Sequence, residues 1–294
     1  MFFYLDIILR QPTSSASPNV LHKKATIDLA VKLSKTTFSS LNKSLLLRAG
    51  DVEANPGPTT KRDLCAIHLN ARSFKPHQDL IEAESFQYDI ITMSETWFSE
   101  ADDVNCTSLT GFHPPVRRDR PQNNSYGGVA IYVKNNLYCK PRPDLLIDDL
   151  EAVWIETKID RDSLLIGSFY RPPNANTNYW NLIRDSVHKV NNTGNKFIIL
   201  GDFNSDWLNS PSKHLIEILE LYQLNQLVRE PTRITNNSST CLDLIITHLT
   251  HLITKVEVLP PICSDHCIPE IIISKTLCKE HNFKRTIYNY NKLD

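Results

Sequence analysis

Residues 196–206, with the sequence KFIILGDFNSD, join a short apolar run to polar side chains that could do chemistry. The run at 197–200 is typical of a strand buried on both faces, and Gly201 is expected to end it. Asp202 and Asn204 follow two residues apart, and in an extended segment their side chains lie on one face. A carboxylate beside an amide could hold a water molecule or an alkoxide against a phosphate. The same residues are ordinary turn formers, so a simple Asx turn stays open.

Polar or ionisable residues recur at the ends of the other predicted buried strands. If these strand ends gather at one edge of a sheet, the side chains converge on one cleft. Each residue has a simpler interpretation, such as a turn cap, a core tyrosine with its hydroxyl at the surface, or the start of a loop. Their recurrence favours a shared site. Besides Asp202 with Asn204, the set contains Asn70, Glu95, Tyr170, Asp243 and Asp265 with His266.

Strands alternate with helices from residue 64 onward, and these elements must position the polar residues. The segment 105–126, rich in Pro, Arg and Asn, is predicted to be a surface loop. Residues 1–60 are rich in Ser, Thr, Asn and Lys and are predicted to be weakly ordered. The apolar patterns predict strands over 64–70, 88–94, 127–134, 150–159, 163–170, 196–200, 241–247, 255–259 and 266–273, and helices over 77–86, 178–191 and 212–224.

The composition is that of an ordinary globular protein. Of the 294 residues, 41% are hydrophobic and 22% are charged, and a net charge of −1 gives no basic excess for indiscriminate binding to nucleic acid. No apolar run reaches the roughly 18 residues of a membrane span, so no membrane partner is expected. Seven cysteines without regular spacing or a secretion signal favour free thiols in the nucleus or cytoplasm rather than a secreted protein.

A cluster of cysteines around His266 raises structural zinc as an alternative. Cys263, Cys267 and Cys278 lie near His266 in the sequence. A zinc site prefers tighter pairs of ligands around a loop, and a strand beginning at His266 would place these side chains on different faces. Free thiols are therefore favoured for Cys263 and Cys267.

A separate motif, GDVEANPGP, lies at residues 50–58. It resembles the ribosome-skipping 2A peptide, whose pattern is Asp-Val/Ile-Glu-x-Asn-Pro-Gly-Pro after a short helical stretch. The resemblance implies that the motif residues Asn55, Pro56, Gly57 and Pro58 act during translation and that no peptide bond forms before Pro58. A Pro/Gly turn in a linker is the simpler alternative.

Seven short motifs follow one another along the rest of the chain. In this order they resemble the endonuclease/exonuclease/phosphatase superfamily, and more narrowly the apurinic-type endonuclease domain of LINE-type non-LTR retrotransposons. The resemblance covers about residues 63–274. The motifs are LN at 69–70, SETW at 94–97, YRPP at 170–173, GDFN at 201–204, PTR at 231–233, CLD at 241–243 and SDH at 264–266.

The resemblance implies an α/β fold, a four-layer α/β sandwich of two mixed β-sheets flanked by helices. We expect a weakly ordered leader over residues 1–60, the nuclease domain over 61–275 and an extension over 276–294. A complete element of this kind carries a reverse transcriptase after the nuclease, and that domain is absent from these 294 residues.

The resemblance also implies a metal site and a site for the attacking water. Glu95 would hold a divalent cation, Mg²⁺ or alternatively Mn²⁺, with help from Asp265 and Asn70. A hard cation with oxygen ligands keeps water molecules and can bridge phosphate oxygens. Asp202 would orient or deprotonate the attacking water, and Asn204 would fix its position.

The remaining motif residues are implied to act on the phosphate and on the DNA backbone. His266 would contact the scissile phosphate, and Asp243 would hold the tautomer of its imidazole. Tyr170 would donate a hydrogen bond to the phosphate or to the leaving oxygen. The implied contacts to the DNA backbone are Arg171, Thr232 and Arg233.

The function implied by the resemblance is a Mg²⁺-dependent endonuclease. It would nick duplex DNA by phosphodiester hydrolysis and leave a 3′ hydroxyl end that primes retrotransposition. Two alternatives stay open at this point. A phosphomonoesterase acting on a soluble or lipid phosphate could use the same scaffold, and a truncated remnant could fold without activity.

The 2A-like motif generates the first prediction. Translation of the full reading frame should give a separate downstream product that begins at Pro58, because the hindered prolyl nitrogen attacks the glycyl ester poorly. Pro58→Ala should restore one fused chain, since alanine supplies a primary amine. Electrophoresis of the translation products checks this, and a wild-type product seen only as one unbroken chain would contradict it.

Overall fold

The protein is described here by a computed structural model, which covers residues 63–120, 126–159 and 162–274 within the compact unit Thr59–Asp294. The leader at 1–60, its 2A-like motif and the extension at 276–294 lie outside the described residues, so those expectations stay predictions. None of the helices in the described ranges is long and apolar enough to cross a membrane.

The described residues form strands, α-helices and short 3-10 helices. The α-helices are Gln78–Ser85, Val104–Thr107, Asn178–Asn191 and Lys213–Leu221, and the 3-10 helices are Lys75–His77, Pro143–Leu145 and Thr250–Leu252. In chain order the strands are β1 (Leu64–Asn70), β2 (Ile90–Ser94), β3 (Val116–Arg118), β4 (Val129–Val133), β5 (Lys140–Pro141), β6 (Ala152–Ile159), β7 (Asp162–Tyr170), β8 (Lys196–Asp202), β9 (Asn225–Gln226), β10 (Arg233–Ile234), β11 (Ser239–Thr240), β12 (Asp243–Thr247), β13 (Ile253–Leu259) and β14 (Ile268–Ile273).

Two mixed six-stranded sheets form the body of the fold. The first has the spatial order β13-β14-β1-β2-β4-β3, and the second has the order β5-β6-β7-β8-β12-β9. Each sheet contains one parallel pair, β1 with β2 and β7 with β8, and its other pairs are antiparallel. Strands β10 and β11 form a separate hairpin. This architecture confirms the predicted fold class.

Strand β1 shows how a sheet can be buried on both faces. Leu64 and Ala66 belong to the large core that also contains residues of the second sheet. Ile67 and Leu69 point the other way and pack in a second core with Ile81 of the helix Gln78–Ser85. Because successive strand side chains alternate between faces, one apolar run serves both cores.

The second sheet is covered by the helix Asn178–Asn191. Its buried side chains recur at helical spacing and include Trp180, Ile183 and Val187. Within the sheet, the indole Nε1 of Trp154 donates to Ser186 Oγ of this helix at 3.1 Å, which satisfies the buried N–H group. The helix therefore lies on the sheet in one defined position.

Strand β1 and the helix Asn178–Asn191 have the predicted ends, and the other long elements are present with ends shifted by a few residues. The prediction that Gly201 ends its strand is wrong. Strand β8 continues to Asp202, and Gly201 is paired with Phe169 on one side and Leu244 on the other. A Cβ atom at Gly201 would overlap the carbonyl group of Phe169. Glycine is needed there for a close approach of strands and not for a turn.

The segment 105–126 is not the simple surface loop that was predicted. Its start belongs to the helix Val104–Thr107, and Val116–Arg118 pairs with β4 at the sheet edge. Leu109 and Phe112 are buried. These elements are too short to give a periodic signal. Residues 121–125 lie outside the described residues.

The strand contact at Gly201 generates the second prediction. Gly201→Ala should lower the free energy of unfolding by about 1–3 kcal/mol, because overpacking pushes β8 away from Phe169. Urea denaturation of the residue 58–294 fragment checks this. Gly194→Ala is the control, because Gly194 has a φ of +68° but open space around it, so only backbone strain is added. A Gly201→Ala protein as stable as wild type would contradict the strand contact.

Candidate active site

The two sheets bring the C-terminal ends of their parallel strands to one place. Asn70 and Ser94 are register partners at the ends of β1 and β2. Tyr170 and Asp202 are register partners at the ends of β7 and β8, and Asp243 lies opposite Asp202 at the start of β12. The predicted gathering of polar strand ends is therefore present in the fold.

Glu95 follows β2 in an unusual backbone conformation. Its φ is +51°, a left-handed conformation that residues with a Cβ rarely adopt. Hydrogen bonds beyond the strand end hold it: Ser73 N–H donates to the Glu95 carbonyl at 2.9 Å, and Phe74 N–H donates to the Thr96 carbonyl at 3.0 Å. Arg72 and Ser73 across this pairing also have positive φ. The strained backbone fixes where the Glu95 side chain leaves the sheet.

The side chain of Asn70 connects the two sheets. Its Nδ2 donates to Glu95 Oε1 at 3.2 Å and to Asp202 Oδ2 at 3.0 Å, and its Oδ1 accepts from Arg72 N–H at 3.2 Å. The Tyr170 hydroxyl donates to the same Glu95 oxygen at 3.2 Å. We call the four side chains Tyr170, Glu95, Asn70 and Asp202 the Asn70 network.

A hydrogen-bonded pair, His266 with Asp243, lies beside this network. His266 Nδ1 donates to Asp243 Oδ2 at 2.8 Å, and both residues are buried. The Thr232 hydroxyl accepts from the backbone N–H groups of Leu242 and Asp243, both at 3.0 Å, and so holds the start of β12. Thr232 is fully buried. These contacts position Asp243 and give no support to the expected contact with DNA, which stays a prediction.

The carboxylates and the imidazole are packed tightly. One ligand-type atom from each of Asp202, Asp243 and His266 lies within 4.8 Å of the others. Burial raises the pKa of Asp202, and the negative charge of Asp243 raises it further. Burial lowers the pKa of His266, but the adjacent Asp243 carboxylate outweighs this and the pKa is raised to about 9. His266 is therefore protonated at neutral pH, and the site retains protons to offset its carboxylates.

The residues present fit a divalent cation with oxygen ligands. Asp243 Oδ1 is buried and has no hydrogen-bond partner among the described residues. Together with Glu95 it leaves more negative charge at this junction than His266 can neutralise, even when Asp202 is protonated. Such an excess of carboxylate oxygens is typical of sites for hard cations. Of the predicted ligands, Glu95 lies here with Asn70 beside it, but Asn70 contacts Glu95 through its Nδ2 donor, and its Oδ1, the atom that could bind a cation, accepts from Arg72 N–H.

Asp265, the third predicted ligand, has other partners. Its carboxylate accepts from Arg72 Nη1 at 2.8 Å and from Arg233 Nε at 2.8 Å. Arg233 lies on the hairpin beside His266, with which it forms an isolated bridge. Asp265 thus holds two guanidinium groups next to the site, and its role as a metal ligand stays a prediction.

Asn204 forms a turn after β8, and its side chain also contacts the loop after β7. Its backbone N–H donates to Asp202 Oδ1 at 2.9 Å, which is an Asx-type turn, and its Nδ2 donates to the Arg171 carbonyl at 2.9 Å. Its φ is +45°. The expectation that Asp202 and Asn204 share a face of an extended segment is therefore wrong, and the turn itself places Asn204 beside the strand end.

The side chain of Arg171 is held within its own loop. The guanidinium lies over the ring of Trp180, 4.8 Å from its centroid, and Nη2 donates to the Ala175 carbonyl at 2.7 Å. Burial lowers its pKa. This half-buried guanidinium supports the loop, so the expectation that it contacts the DNA backbone has no support in its present contacts.

His68 is a component of the site that was not predicted. It is fully buried, and its Nε2 lies 3.7 Å from Asp243 Oδ1. The Thr92 hydroxyl donates to the Ile67 carbonyl, so it accepts from His68 Nδ1 at 3.0 Å. Burial lowers the pKa of His68 to about 4, so this imidazole is neutral. The strand period offered a signal, because His68 precedes Asn70 by two positions and shares its face.

Comparisons with known proteins agree with this architecture. The model of the endonuclease/exonuclease/phosphatase family matches residues 60–266. No curated protein sequence matches the chain.

Three solved structures have a similar fold at low identity. The endonuclease domain of TRAS1, a telomere-specific non-LTR retrotransposon, is 16% identical with a TM-score of 0.59, and the match covers 72% of this chain and 99% of that one. The Xenopus laevis APE2 catalytic domain is 14% identical with a TM-score of 0.58, over 74% and 94% of the two chains. An AP endonuclease from Archaeoglobus fulgidus is 14% identical with a TM-score of 0.53, over 71% and 99%.

The Asp243–His266 pair generates the third prediction. A histidine whose pKa rises from 6.5 to about 9 on folding contributes stability that is fully present below pH 6.5 and is lost as the pH rises through 9. With a chelator present, the free energy of unfolding should therefore fall between pH 6.5 and about 9, and it should fall less in the His266→Gln variant. Urea denaturation at several pH values checks this. Identical pH profiles for the two proteins would contradict the pairing.

Proposed function

Because the chain belongs to the endonuclease/exonuclease/phosphatase family, we propose that it is a metal-dependent endonuclease that hydrolyses a phosphodiester bond in duplex DNA and leaves a 3′ hydroxyl end. The observation that carries this proposal is the Asn70 network beside the Asp243–His266 pair, which brings acid, base and hydrogen-bond donors together at the strand ends. The likeness to a retrotransposon endonuclease domain and to an AP endonuclease supports DNA as the substrate.

Asp202 is proposed to prepare the attacking water. A general base works best when its pKa lies near the working pH, and burial together with Asp243 raises the pKa of Asp202 towards that range. The Asn70 and Asn204 N–H donors fix both oxygens of this carboxylate. As the oxygen of the water bonds to phosphorus, its proton passes to Asp202.

His266 and Tyr170 are proposed to stabilise the charge that develops as the bond between phosphorus and the 3′ oxygen breaks. The imidazolium of His266, oriented by Asp243, can donate from Nε2 to a phosphate oxygen. Burial raises the pKa of Tyr170, and the negative charge of Glu95 raises it further, so its hydroxyl stays protonated. Its single O–H, which donates to Glu95 in this structure, is proposed to turn to the departing 3′ oxygen. Donors fixed in advance at such positions stabilise the transition state without reorganisation.

Glu95 is proposed to hold Mg²⁺, with Mn²⁺ as an alternative, while Asn70 fixes the Glu95 carboxylate through Nδ2. When bound, the cation would neutralise charge on the phosphate oxygens. The hydrogen bond from Tyr170 and the strained backbone hold the Glu95 carboxylate in place.

Arg72 and Arg233 are proposed to contact the DNA backbone beside the active site. Their side chains are 54% and 37% exposed, and both are oriented by Asp265. Guanidinium groups bind phosphate through paired N–H donors and position a duplex without reading its bases. The 3′ hydroxyl end would then serve as the primer for retrotransposition, in the nucleus or cytoplasm.

Plasmid nicking tests this proposal and is the fourth prediction. Wild type with Mg²⁺ should relax supercoiled plasmid, and DNA polymerase should extend the nicks without phosphatase treatment. Asp202→Ala and His266→Ala should each lower the rate by at least about 10²- to 10³-fold, because each removes a preorganised group. Asp185→Ala is the matched control, since that aspartate is 55% exposed and lies on a surface helix.

Two results would contradict the assignment. Release of inorganic phosphate from monoesters without plasmid relaxation would indicate a phosphomonoesterase. A wild-type protein that melts cooperatively and acts on neither substrate would indicate an inactive remnant.

A further inference from the structure

A cavity of about 640 Å³ opens beside Tyr170. Tyr170 lines it, and the hydroxyl of this residue contacts Glu95 in the Asn70 network. The cavity therefore begins next to the proposed phosphate position. Its volume lies within the range of small-molecule sites. Its walls and rim include Arg120, Tyr126, Glu151 and Tyr179.

One wall of the cavity is an ion pair that the fold holds rigidly. Arg120 donates to Glu151 Oε1 from Nε at 2.8 Å and from Nη2 at 2.6 Å. The second oxygen of Glu151 accepts from Gly128 N–H at 2.8 Å. Gly127 has a φ of +97°, and a Cβ atom there would overlap the guanidinium of Arg120. The glycine pair thus allows the loop to pack against the ion pair.

A tyrosine hydroxyl fixes the neighbouring wall. Tyr179 Oη accepts from Glu151 N–H at 2.9 Å and donates to the Tyr170 carbonyl at 3.1 Å. Its ring is therefore held between the end of β7 and the ion pair. The cavity has preformed walls, which lowers the entropy lost when a ligand binds.

The ion pair between Arg120 and Glu151 leaves N–H groups of Arg120 available to a ligand. Within the described part of the chain, no hydrogen bond uses Nη1 of Arg120. The guanidinium is oriented by Glu151 and still carries N–H groups that suit a phosphate oxygen or the acceptor edge of a base.

The rim of the cavity carries an exposed aromatic ring. Tyr126 is 61% exposed, and its ring meets the ring of Trp97 edge to face, with centroids 4.8 Å apart at 88°. Trp97 therefore packs against Tyr126 and leaves much of the Tyr126 ring exposed. An exposed aromatic face beside a cavity suits stacking with an unstacked nucleobase.

We propose that this cavity binds one nucleotide of the DNA strand next to the scissile phosphodiester, with its base against Tyr126 and an acceptor on Arg120. The proposal rests on the proposed function, because the position of the scissile phosphate is taken from it. A base must leave its duplex neighbours to reach Tyr126, so the subsite favours positions where unstacking costs least. Target choice would then depend on deformability of the duplex as well as on groove contacts.

Binding to single-stranded DNA in chelator tests the subsite without requiring catalysis. The probes are two fluorescein-labelled oligomers of equal length, one of deoxyadenosine nucleotides and one with the same phosphates but abasic sugars. Wild type should bind the first more tightly. Tyr126→Ala should weaken binding of the adenine oligomer about tenfold and leave the abasic oligomer unchanged, while Tyr126→Phe keeps the stacking face and the wild-type affinity.

A second pair of variants tests Arg120. Arg120→Met should weaken binding of the adenine oligomer, whereas Arg142→Met should not, although Arg142 is also a part-buried guanidinium paired with a glutamate. Arg120→Lys keeps a positive charge beside Glu151, so it shows whether the loss of binding in Arg120→Met reflects misfolding. Phe86→Ala, which removes a 72% exposed aromatic ring elsewhere, should bind both oligomers as wild type does.

The two proposals fail in different ways. If Tyr126→Ala binds both oligomers as tightly as wild type, the nucleotide subsite is wrong even when wild type nicks plasmid. If wild type shows the expected binding pattern but never nicks plasmid, the subsite stands and the endonuclease assignment is wrong.

Discussion

Repulsion among carboxylates is the constraint on which this site depends. Glu95, Asp202 and Asp243 meet where the two sheets bring their strand ends together, and burying like charges at such distances is unfavourable unless they are offset. Two compensations are present in the fold. Asn70 donates to both Glu95 and Asp202, and Asp243 keeps His266 protonated. The remaining excess of negative charge favours a bound cation, and the same excess gives Asp202 a pKa suited to a general base.

The rest of the fold serves to maintain this arrangement. Glycine at position 201 lets β8 approach β7, so that Asp202 reaches the end of the sheet beside Tyr170. Thr232 fixes the backbone of Asp243 from within the core. The left-handed backbone at Glu95 is strained, and the pairing of two loops beyond the strand ends sustains it. Packing in the two cores thus offsets the unfavourable free energy of the buried charges and of the strained dihedral angles.

The sequence predicted the members of the site better than their contacts. A polar residue at either end of a buried apolar run is a local signal, and it identified Asn70, Glu95 and Asp202 after such runs and Asp243 before one. The pairing of Asp265 with Arg72 could not be read in this way, because it joins residues far apart in the chain.

Local patterns also missed features that depend on tertiary packing. The left-handed backbone of Asn204 and the short edge strand β3 depend on neighbouring segments, so no periodic pattern in the sequence predicts them. Thr232 and Arg171 belong to matching motifs, yet one is buried and the other is held in its loop. A motif therefore located the site, while the contacts of each side chain separated supporting residues from those proposed to act on a substrate.

The proposed cation site is tested most directly by the position of a Mn²⁺ ion in crystals of the wild-type protein, measured by anomalous scattering. The excess of carboxylates predicts an anomalous peak within roughly 2.0–2.3 Å of a Glu95 carboxylate oxygen, close to the Asn70 side chain, and no peak there in Glu95→Gln. A fully occupied ion elsewhere, with none beside Glu95 in the wild-type protein at saturating Mn²⁺, would contradict this site.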